Sequence, residues 1–354
     1  MCLGVAHELR TAAPKQLAPP WGDGPQGQGG GVSFSPVDVL FVVLPDTLLL
    51  DLAGPAEAFR LANQQLASRG QAPRFRLRYV GPQPSASSSV GLTLSGLEPL
   101  PDELGPRSWV VLLGRPGEAT QVVRRHPAWL AARDWLSRVV APAIDAPDGP
   151  HRLLTVCVGS LLAADAGLLG RRAVTSHHEL LDELRALAPA ARVVGNRVFV
   201  EDGPLASSAG ITAGIDLALH LIAQELGEPL ASAVAQVMVV FHRRAGDDPE
   251  RSPLLAGRSH LHPVVHAVQS AVVESPGEDW SLERMAELAH VTPRHLARLF
   301  REHAGVTPRE HVEQVRLALA QQARQAGLRT PQALALAGFS SDRQWRRARQ
   351  RAGS

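Results

Sequence analysis

From residue 37 to about residue 226, short apolar runs alternate with stretches of helical periodicity, and this alternation constrains the chain more than any other feature. Residues 37–44 (VDVLFVVL) read as a strand apolar on both faces, and 74–80, 109–113, 152–156 and 192–200 are further strand candidates. Helical patterns lie between and after them at about 127–139, 159–167, 178–188 and 211–226. Pro55 suits the first turn of one more helix, ending near Arg69 with Gly70 as its stop. A strand buried on both faces needs helices above and below it, so the pattern predicts a doubly wound, mostly parallel α/β sheet.

The flanks are different. Residues 1–36 hold 7 Gly and 5 Pro with almost no apolar periodicity, too little to offset the entropy of ordering, and are expected to be disordered. They do not read as a secretory signal, since no long apolar core follows a basic start. Another helix is expected at about 231–242, closing an α/β domain of residues 37–242. Residues 243–258 are polar, with Pro and Gly, and read as a linker. Residues 259–354 carry no strand pattern, only helices separated by short turns. They hold 13 Arg against 9 Asp and Glu, so the net charge of +2 on the whole chain comes from its last quarter. That rules out a uniformly basic nucleic-acid binder and leaves local basic surface. The single lysine, Lys15, among 36 basic residues points to a GC-rich coding genome.

No uninterrupted apolar run reaches 18 residues, so no membrane-spanning helix and no membrane partner are expected. Two cysteines, Cys2 and Cys157, cannot form a disulfide framework or a four-cysteine zinc site. A reduced, cytoplasmic protein without metal or cofactor is the expectation.

In residues 280–303 (WSLERMAELAHVTPRHLARLFREH), Ser281 can cap one helix that buries Leu282, Met285, Ala286 and Ala289. Thr292, followed by Pro293, can cap a second that buries Leu296, Leu299 and Phe300. Arg294, Arg298 and Arg301 then fall at i, i+4 and i+7 on the opposite side, with His295 beside them. Three guanidinium groups on a rigid helix suit the major groove, where arginine reads guanine edges or grips phosphates. A solvated arginine face has the same spacing, and charge alone leaves both readings open.

The stretch WSLERMAELAHVTPRHLARLFREHAGVTPREHVEQVRLALA resembles the DNA-binding domain of the AraC/XylS transcription regulators. The likeness rests on the Ala-Glu-Leu-Ala helix, the Thr-Pro turn, the Leu-Ala-Arg-Leu-Phe helix, Gly305-Val306-Thr307-Pro308 and Arg316. It implies a second helix-turn-helix after a connecting helix from Pro308 to about Arg324. Residues 330–351 (TPQALALAGFSSDRQWRRARQR) resemble that unit, with Arg343, Arg346 and Arg347 outward and Trp345 inward. Two departures are expected to weaken it. Arg349 stands where the family has a core aromatic, and Gly353-Ser354 fall short of the family's closing segment. A buried, unpaired guanidinium would cost several kcal/mol, so Arg349 must turn outward and leave a weak or frayed second unit.

Leu153-Leu154-Thr155-Val156-Cys157-Val158-Gly159-Ser160 runs from an apolar strand directly into a helix. A cysteine there would be held on a sharp turn, exposed above the sheet edge, with the positive helix end favouring thiolate. Free cysteine ending a buried strand is also commonly just packing. Residues 37–228 are similar to the DJ-1/PfpI superfamily, whose flavodoxin-like fold is related to class I glutamine amidotransferases. The closest branch is the GlxA-like regulators fused to AraC-type domains. The matching landmarks are Leu50-Asp51-Leu52-Ala53-Gly54-Pro55, the Cys157 elbow, Ala166-Gly167-Leu168-Leu169-Gly170, Thr175-Ser176-His177 and Ser208-Ala209-Gly210-Ile211-Thr212-Ala213-Gly214-Ile215-Asp216.

The resemblance implies that Asp51 lies against the cysteine, that backbone N–H groups of Gly114 and Val158 face its sulfur, and that His177 is the nearest histidine. Asp51 as a cap for the helix at Pro55, and His177 as a satisfied polar residue, are the structural alternatives. Val158, Arg115 and His178 depart from enzymes and close branches, which have His, Gly and Trp there. Together these readings imply a homodimeric, sequence-specific DNA-binding regulator whose α/β domain senses a small molecule, and not an enzyme. The alternatives are a cysteine-dependent hydratase or hydrolase, of the kind the isocyanide hydratases exemplify, with a degenerate DNA-binding domain, and a sensor of thiol oxidation.

Overall fold

The computed structural model describes residues 36–116, 126–146, 149–240, 243–248, 250, 260, 262–325 and 328–352. The N-terminal extension before Pro36, most of the expected linker and the chain's last two residues therefore lie outside the described residues.

The α/β domain is built on a seven-stranded sheet with two small two-stranded ones. In chain order the strands are β1 (Val37–Val42), β2 (Phe75–Gly81), a hairpin of β3 (Ser85–Ser87) and β4 (Thr93–Ser95), β5 (Glu98–Pro99), β6 (Ser108–Leu112), β7 (Arg152–Val156), β8 (Ala173–Val174), β9 (Arg192–Val193), β10 (Phe199–Asp202) and β11 (Leu205–Ser208). The main sheet has the order β10-β11-β7-β6-β1-β2-β5, parallel except for the β10–β11 hairpin. Strand β1 is buried at every position, as expected of a central strand covered on both faces.

One group of helices comprises α1 (Leu49–Ala67), α5 (Thr212–Leu226) and α6 (Glu228–Val237), packed on one another. The other comprises α2 (Pro127–Trp135), α3 (Gly159–Asp165) and α4 (Leu181–Leu187). Helix α2 continues through a π turn into Ala141–Ile144, and Trp129 Nε1 donates to Asp165 Oδ2 at 2.8 Å where α2 meets α3. Phe59, Phe75 and Trp109 form an aromatic cluster between α1 and the sheet, with ring centroids 4.9–5.9 Å apart.

The sheet differs from expectation in three places. Helix α1 begins at Leu49, not at Pro55, which lies inside it and costs one ladder hydrogen bond. The early start follows from Leu48, whose N–H donates to Gly114 O at 2.9 Å. The expected strand 192–200 is two strands, broken at Asn196, whose φ is +52°. Strand β11 was not foreseen: LASS has little apolar content, yet it is buried between β7 and β10.

The polar segment read as linker is docked on the α/β domain at its start. The Arg244 N–H and guanidinium both reach Asp216, at 2.9 and 2.8 Å, and Arg243 pairs with Glu228 at 2.6 Å. The Val198 N–H donates to Asp248 O at 3.1 Å, and Glu250 meets His178. The charges that made the segment look solvated are its docking contacts.

The C-terminal helices are α7 (Pro263–Glu274), α8 (Leu282–Leu288), α9 (Pro293–Leu299, continued by a π turn to Ala304), α10 (Pro308–Gln325), α11 (Thr330–Leu336) and α12 (Asp342–Ala352). Ser281 and Thr292 cap α8 and α9, accepting from the N–H groups of Arg284 and His295 at 3.2 and 3.3 Å. Arg316 on α10 donates to Pro276 O and Glu278 O at 2.9 and 2.7 Å, fixing the turn that leads into α8. Among the described residues, no helix is long and apolar enough to cross a membrane.

Candidate functional site

Three neighbouring strands end at one place. Gly114 follows β6, Cys157 follows β7 and Gly210 follows β11, in the crevice beyond the carboxyl ends of the strands where open α/β sheets bind ligands. Cys157 has φ +54°, a strained backbone for a non-glycine residue that costs on the order of 1–3 kcal/mol. Its surroundings hold it there. The Cys157 N–H donates to Ser208 O at 3.1 Å, and its carbonyl accepts from the Ser160 N–H at 3.2 Å and from Ser176 Oγ at 2.8 Å. Glycine is required on both sides. A Cβ on Gly114 would lie 2.8 Å from Cys157 Cβ, and one on Gly210 would lie 2.5 Å from Cys157 Cβ and 2.9 Å from its sulfur.

Asp51, in the first turn of α1, is fully buried. Its carboxylate accepts from the Ile211 N–H at 2.8 Å and from the Gly114 N–H at 3.1 Å. Burial outweighs these two bonds and raises its pKa to about 6. The folded state therefore binds this proton more tightly than the unfolded chain. The contribution is complete below the ordinary value of 3.8 and is lost as pH rises through about 6. That difference is roughly 3 kcal/mol.

One alternative is set aside here and one expectation is corrected. Asp51 caps no helix, because its partners are distant in sequence and the residue at the N-cap of α1 is Leu48. The Gly114 N–H does not face the sulfur; it is committed to Asp51.

The thiol also differs from expectation. Cys157 is 5% exposed and so does not stand out above the sheet edge. Burial first, and the Asp51 charge second, push its pKa up to about 12, against the opposing hydrogen bond from the Val158 N–H. Helix α3, seven residues long, does not offset that desolvation, which favours thiol over thiolate.

His177 is half-buried, its Nδ1 3.6 Å from Glu179 Oε2 and its ring 4.2 Å from that of His178. Among the described residues no hydrogen bond joins it to Cys157. The structure thus brings Asp51, Gly114, Cys157 and Val158 together and leaves His177 beside them with its own partners. Sequence reasoning missed Gly210, Ile211 and Ser176 as individual contributors, although all lie in stretches it singled out. It also missed Glu250, for which a polar, aperiodic segment offers no signal. Two open surface depressions, of about 360 and 480 Å³, are lined by residues other than Cys157 and Asp51.

In the C-terminal domain, Arg294, His295, Arg298 and Arg301 are all exposed along α9 and the turn that extends it. Arg298 pairs with Glu302 at 2.8 Å, an exposed bond that another acceptor displaces at little cost. Thr292 is exposed but already occupied as a cap. On α12, Arg343, Arg346 and Arg347 are exposed and Trp345 is half-buried. Arg349 is exposed, as expected, with its guanidinium 5.0 Å from the Trp345 ring centroid. Helix α12 runs through Ala352.

Residues 285–352 match the model of the helix-turn-helix domain family, and residues 137–224 that of the DJ-1/PfpI family. The HTH-type transcriptional regulator CdhR of Pseudomonas aeruginosa is 31% identical over 309 residues, covering 86% of this chain and 85% of that protein. The chain belongs to the AraC-type helix-turn-helix regulators that carry a DJ-1/PfpI domain. The HTH-type transcriptional regulator GlxA of Rhizobium meliloti is similar over nearly the same span, at 29% identity across 85% of this chain and 88% of that protein. A shorter likeness, 45% over 83 residues, is to the isonitrile hydratase of Pseudomonas putida, covering 23% of this chain and 34% of the enzyme. The chain is a DNA-binding transcription regulator with a flavodoxin-like α/β domain, and its full-length relatives are regulators.

Proposed function

We propose that the Cys157 crevice binds a small-molecule effector without turning it over, and that the C-terminal domain carries this signal to DNA. The observation behind this reading is the setting of the thiol, which is 5% exposed and, among the described residues, has no base hydrogen-bonded to it. Burial also pushes its pKa up to about 12, which disfavours the thiolate. The Gly114 N–H, a candidate donor to a developing oxyanion, is already given to Asp51. Among the described residues no histidine is hydrogen-bonded to the sulfur as a base. A catalytic hydratase or hydrolase reading, favoured only by the short match to the isonitrile hydratase, needs all three of these features reversed. A thiol sensor needs the thiolate as well.

The effector acts by binding one of two states of the protein more tightly than the other. Arg298, with Arg294, His295 and Arg301, reads or grips the major groove, and Arg343, Arg346 and Arg347 make the second contact. The protein works where the chromosome is, in the cytoplasm, and as a homodimer. Leu50, Val90 and Leu92, exposed apolar residues on segments that the Thr47–Ser88 bridge joins, are the side chains offered to a second copy.

The test is the pH profile of Cys157 alkylation in the folded full-length chain, followed peptide by peptide by mass spectrometry. Effector binding without catalysis predicts a rate still rising beyond pH 10. A plateau below about pH 7.5, the range of activated cysteines, would restore the enzyme and sensor readings.

A further inference from the structure

Beside the cysteine elbow, and not used by the reading above, stands a second group of chemically distinctive side chains. His177 and His178 follow Ser176, whose hydroxyl holds the Cys157 carbonyl. Glu250 reaches them from the segment that docks on the α/β domain before the chain continues toward the DNA-binding domain. One ligand atom from each of His177, His178 and Glu250 lies within 4.8 Å of the other two. Glu250 Oε1 accepts from both the His178 N–H, at 3.0 Å, and the His178 ring Nδ1, at 2.9 Å.

The other oxygen of the same carboxylate sets the group apart from an ordinary surface ion pair. The Glu250 side chain is 9% exposed, and its Oε2 is buried without a hydrogen-bond partner among the described residues. A buried carboxylate oxygen left unpaired is costly, and a cation beside it would remove that cost. Two imidazoles and a carboxylate, with an open side, form the donor set of three-ligand zinc sites, and imidazole nitrogen is the commonest protein ligand for such ions.

We infer that His177, His178 and Glu250 form a binding site for a divalent transition-metal ion of the zinc class, at the mouth of the Cys157 crevice. Ligand–ligand contacts of 2.9 Å and up to 4.8 Å close to the spacing set by metal–ligand bonds of about 2.0–2.2 Å after small side-chain rotations. The bound ion would tie the exit segment at Glu250 to the α/β domain beside the crevice. Metal occupancy and the path toward the DNA-binding domain would then share one anchor.

The experiment titrates the metal-free full-length chain with Zn²⁺ in competition with a chromophoric chelator, using the native protein and the variants Glu250→Gln, His178→Ala and His177→Asn. The native chain should take up one Zn²⁺ at this site, and each variant should bind it at least about tenfold more weakly. The thermal midpoint of the native chain should rise with Zn²⁺, and those of the variants should not. Midpoints measured in chelator show that the variants are folded. A second histidine group, with the His262 and His303 rings 4.5 Å apart, serves as the control, and His262→Ala should bind as the native chain does. Equal affinity in native chain and Glu250→Gln, loss of binding in His262→Ala instead, or no uptake by the native chain would each overturn the assignment.

Discussion

The two helix-turn-helix units follow one plan, and they differ in how much core stands behind it. In the first, α9 rests on Leu296, Leu299 and Phe300, within a cluster that also buries Val265, Val268, Val272, Met285, Val312 and Val315. In the second, the buried set is Ala320, Leu334, Ala337, Phe339 and Ala348, three of them alanines. Helix α12 contributes only Ala348 to it, together with half-buried Trp345. The Trp345 ring is flanked by Arg324 at 5.7 Å and Arg349 at 5.0 Å. Arg349 makes a cation–π contact on the surface, which at exposed sites contributes about 0.5–1 kcal/mol, far less than a buried aromatic ring would. The second unit keeps its helix and loses its ballast.

This difference orders the expected effects of mutation. Phe300→Ala should cost about 3–5 kcal/mol and melt the first unit, seen as loss of its amide protection in hydrogen exchange. Phe339→Ala should cost less, about 2 kcal/mol, because its small surroundings collapse more readily, and should release only α11 and α12. Equal costs, or melting of both units by either change, would show that the two cores act as one. Arg298→Ala should weaken specific DNA binding by about 1–3 kcal/mol. Arg346→Ala, on the less anchored helix, should cost under about 1 kcal/mol. A larger loss at Arg346 would reverse the ranking of the two helices. Arg349→Leu should change stability by no more than about 1 kcal/mol, the size of the cation–π contact it removes. A gain of several kcal/mol would mean that the core of the second unit is open to an apolar side chain.

Much of this was legible in the chain itself. The runs at 37–44 and 152–156 are mostly apolar because they are buried on both faces, and the Ser281 and Thr292 caps mark the helix starts within a residue. What stayed hidden depends on partners distant in sequence. Strand β11 is LASS, without an apolar run, and it is a strand because β7 and β10 flank it. The segment 243–250 looks solvated until Asp216, Glu228 and His178 are set against it.

The candidate site divides in the same way. Its members could be named from the elbow and from family likeness. The sign of the cysteine's shift could not, since burial and the Asp51 charge set it, and neither is a local property of Leu-Leu-Thr-Val-Cys-Val-Gly-Ser.

The central claim is that sequence-specific DNA recognition rests on the first recognition helix. The most direct test is the affinity of the native chain and Arg298→Ala for the DNA upstream of its own coding sequence, by fluorescence anisotropy at two salt concentrations against a scrambled competitor. The account predicts native binding that survives physiological salt and discriminates against the scrambled duplex, with Arg298→Ala losing most of that discrimination. Binding that ignores sequence and disappears with salt reports phosphate contact alone. Together with an unaffected Arg298→Ala, that result would contradict the account.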